Sequence, residues 1–96
     1  MTSPDVINGG AGDDRLYGGD GNDTLNGGGN VDRIFAGAGN DSLLGGSSND
    51  KLYGEDGNDT IMGGKGADFI SGGDGDDSAA IDDTDAWTNI ENVTRV

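Results

Sequence analysis

The chain repeats itself every nine residues without a slip. From Gly9 it reads GGAGDDRLY, GGDGNDTLN, GGGNVDRIF, AGAGNDSLL, GGSSNDKLY, GEDGNDTIM, GGKGADFIS and GGDGDDSAA, ending at Ala80. Asp holds the sixth position of every block, at Asp14, Asp23, Asp32, Asp41, Asp50, Asp59, Asp68 and Asp77. Asp5, in "DVIN", has the same phase and opens a truncated copy. The eighth position is apolar throughout, at Ile7, Leu16, Leu25, Ile34, Leu43, Leu52, Ile61 and Ile70, closing with the smaller Ala79. So short a period leaves room for a glycine-rich turn of about six residues and a strand of about three, with one side chain inward and two outward. Glycine at this density excludes helix.

A period of eighteen lies inside the period of nine. Blocks one, three and five end RLY, RIF and KLY, whereas blocks two, four, six and eight carry Thr24, Ser42, Thr60 and Ser78 at the seventh position. Alternate blocks therefore share an environment. The simplest geometry is an all-β solenoid with two strands and two loops per turn, its two parallel sheets packed on the eighth-position side chains. Residues 1–8 form a partial first repeat, 9–80 the eight full blocks, and 81–96 a C-terminal capping segment. With strands about 4.8 Å apart, four turns make a body only about 20 Å long, so the core is thin.

Composition makes that thinness acute. Leu, Ile, Val and Phe number 17 of 96 residues, Gly another 21, and the net charge is −14. Such a chain ought to be disordered unless something other than apolar burial supplies free energy. There is no Cys to cross-link it and no His to hold a transition metal. What it has in quantity is carboxylate, 17 Asp and two Glu. The acidity repels phosphate backbones and anionic headgroups, so nucleic acid is excluded as a partner. No apolar run reaches membrane-spanning length, and "MTSPDVINGG" lacks a secretory signal pattern.

In the solenoid, one edge carries Asp5, Asp23, Asp41, Asp59 and Asp77, and the other Asp14, Asp32, Asp50 and Asp68, each about 5 Å from the next. Like charges so close repel by several kcal/mol even at an effective dielectric of about 20. A divalent ion between successive loops reverses the sign. Glycine turns expose carbonyls that, with the aspartates, could supply the six to eight oxygens that calcium prefers; magnesium, which keeps its waters, fits worse. Eight blocks give six such loop pairs, and six divalent ions would take the formal charge from −14 to −2. Counting the two ends, the number could reach eight.

These blocks resemble the G-G-x-G-x-D-x-U-x nonapeptide of RTX proteins, the haemolysin-type calcium-binding repeat, over residues 5 to 80. The resemblance implies a right-handed parallel β-roll that is disordered at low calcium and folds after export, by type I secretion from a bacterium, into a calcium-rich medium. It implies a non-enzymatic module that stiffens a larger secreted protein, beside neighbouring domains that include proteases, lipases, epimerases, toxins and adhesins. It further implies that the ions are held by the sixth-position aspartates named above together with loop backbone. That backbone is Gly9, Gly10, Ala11 and Gly12 in the first block, Gly18, Gly19, Asp20 and Gly21 in the second, and Gly27, Gly28 and Gly29 in the third. It continues with Ala36, Gly37, Ala38 and Gly39, then Gly45, Gly46 and Ser47, then Gly54, Asp56 and Gly57, then Gly63, Gly64, Lys65 and Gly66, and finally Gly73 and Gly75.

Several positions depart from the pattern. Asn30 and Ser48 replace the fourth-position glycine, Ala36 a first and Glu55 a second. Both fourth-position changes fall on the edge of Asp14, Asp32, Asp50 and Asp68, where weaker or fewer ions are expected. After Ala80 the register breaks, and Trp87, Ile90, Val93 and Val96 are the expected cover for the open end. Asp82, Asp83 and Asp85 could complete a terminal site or simply be solvated. Arg15, Arg33 and Lys51 should stack as a ladder beside Tyr17, Phe35 and Tyr53. That stripe either stabilises its sheet or grips a polysaccharide or another protein. Leu44 and Met62 are candidate packing surfaces on the other sheet.

Other chemistry finds no support. A helix-flanked calcium loop would need Glu at its twelfth position, and no P-loop lysine pattern occurs. Repeated aspartate ladders are unlike one asymmetric catalytic pair, so no catalytic residue is expected. Ice binding would want a flat Thr or Asn array; Asn22, Asn40 and Asn58 are offset by the acidic mixture Asp20, Ala38, Asp56 and Asp74, and none is expected.

Overall fold

The computed structural model describes residues 4–82 and 84–95. Asp83 and Val96, named above for a terminal site and for the cover, lie outside the described residues. Eleven short strands run β1 (Val6–Asn8), β2 (Arg15–Tyr17), β3 (Thr24–Asn26), β4 (Arg33–Phe35), β5 (Ser42–Leu44), β6 (Lys51–Tyr53), β7 (Thr60–Met62), β8 (Phe69–Ser71), β9 (Ser78–Ile81), β10 (Ala86–Thr88) and β11 (Asn92–Arg95). Among the described residues there is no helix.

The odd strands form one parallel sheet, β1-β3-β5-β7-β9-β11, and the even strands the other, β10-β8-β6-β4-β2. Within the blocks each residue pairs with the one eighteen positions on, as Leu25 with Leu43 and Ile34 with Leu52. The two-sheet parallel β-roll read from the eighteen-residue period is the fold observed. Strands from Arg15 to Met62 show an exposed first residue and a buried second. The eighth-position residues from Leu25 to Ile70 are 2 % exposed or less and form one core with Leu16, Ala36, Ala79 and Ile81.

The roll is longer than the nonapeptide blocks. β10 pairs with β8, Trp87 opposite Ile70, and β11 pairs with β9, Val93 opposite Ala79, at offsets of 17 and 14 residues. Residues after Ala80 therefore do more than cover the end: they add a strand to each sheet, through loops shorter than those of the blocks. Trp87 and Val93 occupy core-facing positions, have no further turn against them among the described residues, and stay 39 % and 38 % exposed. The Arg95 guanidinium lies 5.8 Å from the Trp87 ring centroid.

The three glycine positions of the loop serve two different needs. The second and fourth positions take a left-handed backbone, as at Gly19 (φ 79) and Gly21 (φ 105), which glycine adopts without penalty. Glu55, Asn30 and Ser48 are forced into the same region at φ 68, 69 and 74, at about 1 kcal/mol or more each. The first position is instead crowded by a carboxylate oxygen and a carbonyl, as at Gly18.

On the even sheet, Arg15, Arg33 and Lys51 are in register, beside an aromatic stack. Tyr17 and Phe35 have centroids 5.1 Å apart at 9°, Phe35 and Tyr53 4.9 Å apart at 5°, and Phe69 tilts over Tyr53 at 6.0 Å. Phe35 is stacked on both faces, whereas Tyr17, on the edge strand, is stacked on one and stays 60 % exposed; the contacts add cohesion to the sheet. On the odd sheet, Leu44 and Met62 are 39 % and 50 % exposed.

Candidate metal centre

Each sixth-position aspartate sits just before its strand and points into the roll rather than out to water. Those from Asp23 to Asp77 are no more than 2 % exposed. One carboxylate oxygen is used the same way every time: Oδ1 accepts the backbone N–H of the aspartate one turn earlier. Asp5 donates to Asp23, Asp23 to Asp41, Asp41 to Asp59 and Asp59 to Asp77 on one edge, at 2.7–2.9 Å. Asp14, Asp32 and Asp50 donate likewise to Asp32, Asp50 and Asp68 on the other, at 2.8–2.9 Å.

The second oxygen has no partner. Oδ2 of Asp5, Asp14, Asp23, Asp32, Asp41, Asp50, Asp59, Asp68 and Asp77 is buried and accepts no hydrogen bond. Nine equivalent orphans in one small domain are far beyond what folded proteins tolerate without a ligand. What surrounds them is more oxygen. A methyl group on Gly18 would stand 2.8 Å from Asp23 Oδ2 and 2.5 Å from the carbonyl oxygen of Ala36, the first residue of the next loop on that edge. Gly9, Gly27, Gly45 and Gly54 repeat the arrangement with Asp14 and Gly27, Asp32 and Gly45, Asp50 and Gly63, and Asp59 and Gly72, at 2.5–2.9 Å. Glycine at the first position leaves that space to the carboxylate. Ala36, which has a methyl there, is accommodated and fully buried.

Carbonyls also approach from the other side. The second- and fourth-position oxygens of one loop face the same positions of the next: Gly10 O lies 2.8 Å from where a methyl on Gly28 would be, and Gly19 O 2.5 Å from one on Gly37. Gly21 faces Gly39, Gly39 faces Gly57, Gly57 faces Gly75, Glu55 faces Gly73, Gly46 faces Gly64 and Ser48 faces Gly66 in the same way. Of these loop carbonyls, only those of Gly28 and Gly66 accept a hydrogen bond among the described residues, from Ser47 N–H and the Thr84 hydroxyl. The loop intervals are thus lined mainly by oxygen acceptors from both turns around one carboxylate. No three acidic side chains converge among the described residues, so most oxygens would come from the backbone. A hard divalent cation fits this donor set.

Electrostatics tell the same story. Burial pushes Asp59 and Asp68 up to about 7 and Asp41 and Asp50 up to about 6, against the opposing pull of the backbone hydrogen bond and with added repulsion from ladder neighbours. Asp32 and Asp77 are raised by burial too. Without a compensating positive charge these groups resist ionisation.

The sequence pattern located the ladder and its loops, but missed four features of the site. A second, exposed ladder runs outside the first: Asn22 Oδ1 accepts the N–H of Asn40, Asn40 that of Asn58, and Asn58 that of Asp76, at 2.8–2.9 Å. On the opposite edge this outer ladder is interrupted, with Asp13 accepting from Val31 and Asn49 from Ala67. Both inner ladders also continue past the blocks, since Asp85 Oδ1 accepts the Asp68 N–H at 2.8 Å and Glu91 Oε1 that of Asp77 at 2.9 Å. The signal for this continuation was the acid-x-apolar-Thr spelling of "DAWT" and "ENVT", without the glycines. Asp82 is the fourth: it caps the turn to Thr84, whose hydroxyl and N–H lower its pKa.

A family model for the RTX calcium-binding nonapeptide repeat (4 copies) matches residues 2–34, 26–61 and 53–79. No significant match was found among curated proteins or among solved structures.

Proposed function

The chain belongs to the RTX calcium-binding nonapeptide repeat family, and from that membership we propose that the roll is the calcium-folded part of a larger secreted protein. It is a calcium-binding repeat module; its task in this reading is to remain unfolded where calcium is scarce and to become a rigid spacer where calcium is abundant. The observation that carries this is the row of buried, unpartnered Oδ2 atoms, which at Asp14, Asp23, Asp32, Asp50, Asp59 and Asp77 share the space beside the first-position glycine with a carbonyl of the next turn. The ligands would be the sixth-position aspartate and the second- and fourth-position carbonyls of one loop, with the first-position carbonyl of the next. Bound there, calcium supplies positive charge to oxygens that otherwise repel. The chain's own part is to hold those oxygens in place, through the Oδ1 hydrogen bonds and the left-handed glycines.

The test is a calcium titration of the metal-free chain followed by far-UV circular dichroism. Strand signal should rise cooperatively with calcium and much less with magnesium at equal concentration. A spectrum indifferent to calcium would refute the reading.

The two edges should not bind equally. Between loops 27–32 and 45–50 the Gly28 carbonyl already accepts the Ser47 N–H at 3.1 Å, and both Asn30 and Ser48 have a left-handed backbone. That interval is expected to show the lowest occupancy of the six in a crystal grown at limiting calcium. Equal occupancy at all six would remove the distinction.

A further inference from the structure

We propose that the chain carries one more divalent-cation site, beyond the six intervals between nonapeptide blocks, between loop 72–77 and the three-residue turn 89–91, built on the Asp77 carboxylate and the Asn89 carbonyl. The proposal rests on reading the loop intervals as calcium sites, and it extends them past the end of the family match at residue 79.

Asp77 is fully buried and its Oδ2 has no partner. A methyl group on Gly72 would strike both that oxygen, at 2.5 Å, and the carbonyl oxygen of Asn89. At Gly9, Gly18, Gly27, Gly45 and Gly54 the second oxygen belongs to the first residue of the block eighteen residues on. Asn89 takes that place although it is neither a glycine nor in register, and it does so with φ 54. Its carbonyl accepts no hydrogen bond among the described residues, and neither do those of Gly73 and Gly75. These two glycines have φ 78 and 102, the values of the positions whose carbonyls face forward in earlier loops. Glu91, whose Oε1 accepts the Asp77 N–H, brings a second carboxylate to the same turn. Three carbonyls and up to two carboxylates fall short of calcium's full shell, which leaves water to complete it.

The opposite edge shows what a closed end looks like. There the Gly66 carbonyl accepts the Thr84 hydroxyl at 3.0 Å. Both oxygens of Asp85 are occupied, by the N–H groups of Asp68 and Asp82 at 2.8 Å each. The nearest atoms to Gly63 are those of Asp68 alone. At this end of the roll one edge is thus partly closed by hydrogen bonds, with Asp68 Oδ2 still unpartnered, while the other presents free backbone acceptors around the buried Asp77 carboxylate.

The experiment compares the full chain with Asp77→Asn and with Asp74→Asn, which removes an exposed carboxylate from the same loop. Calcium is counted by native mass spectrometry at saturation, and terbium luminescence is excited through Trp87, two residues before Asn89. Asp77→Asn keeps the Oδ1 acceptor for the Asp59 N–H, so the ladder survives. It should bind one calcium fewer than the wild type and lose most of the Trp-sensitised emission, whereas Asp74→Asn should keep both. An unchanged count in Asp77→Asn, or the loss of one ion in each variant, overturns the assignment. If Asp77→Asn does not fold in calcium, Glu91→Gln decides. It should move one ion to higher calcium and leave the others unmoved, and no movement overturns the site. A wild-type chain that binds no calcium overturns the family reading itself, whereas a loaded wild type with a full count in Asp77→Asn overturns only the terminal site.

Discussion

Stripped of calcium by a chelator at neutral pH, the chain is expected to lose its strands, and to regain a substantial part of them when acidified. The sign follows from the buried ladder. Asp41 and Asp50 sit at about 6 in the fold and Asp59 and Asp68 at about 7, all above their ordinary value of 3.8. A carboxyl whose folded pKa exceeds its unfolded one favours the fold when protonated. Its contribution is complete below the unfolded value and is lost as pH rises through the folded one. Without metal, four such groups work against folding above pH 7 and cease to do so on descending through 7 and 6 towards 4. With calcium the dependence inverts, because a ligand carboxylate must give up its proton, so affinity should fall over the same descent. Circular dichroism in chelator and in calcium, each followed across this range, checks both halves. Full order in chelator at neutral pH, or further loss of order in chelator on acidification, would contradict the account.

The second large effect concerns the core. Leu52→Ala should destabilise the calcium-loaded protein by about 2–5 kcal/mol, a large share of the roughly 5–15 kcal/mol that holds a typical domain together. Leu52 is fully buried, with Ile34 and Ile70 as its neighbours in the same sheet. The roll is one side chain deep on each sheet, so there is no outer layer to collapse into the cavity. Ser42→Ala, on the exposed face of β5, should change stability by no more than about 0.5 kcal/mol. Denaturant unfolding at saturating calcium measures both, and a Leu52→Ala cost as small as that of Ser42→Ala would mean that the core contributes little.

The block region was open to reading because its two periods are rigid. The nine-residue one separates turn from strand, and the eighteen-residue one assigns Thr24 and Ser42 to one sheet and Arg15 and Arg33 to the other. The segment after Ala80 was not, since its strands pair at offsets of 17 and 14 and its loops carry no glycine. Register was the only signal in use, and there it fails. Composition could not tell which glycine serves φ and which serves space; that emerges only when Asp23 Oδ2 is found against Gly18. The same holds for Phe69, a seventh-position residue whose ring leans across to Tyr53 in the ninth-position row.

The alternation of strands between two sheets also governs how such a chain can change length. Deleting or duplicating eighteen residues, a whole turn, returns every later strand to its own side. Losing nine would send each downstream strand to the opposite wall, setting Met62 under Phe35 and ending the aromatic row. Length changes in a roll of this kind should therefore be tolerated in steps of two blocks, because only the pair restores both walls.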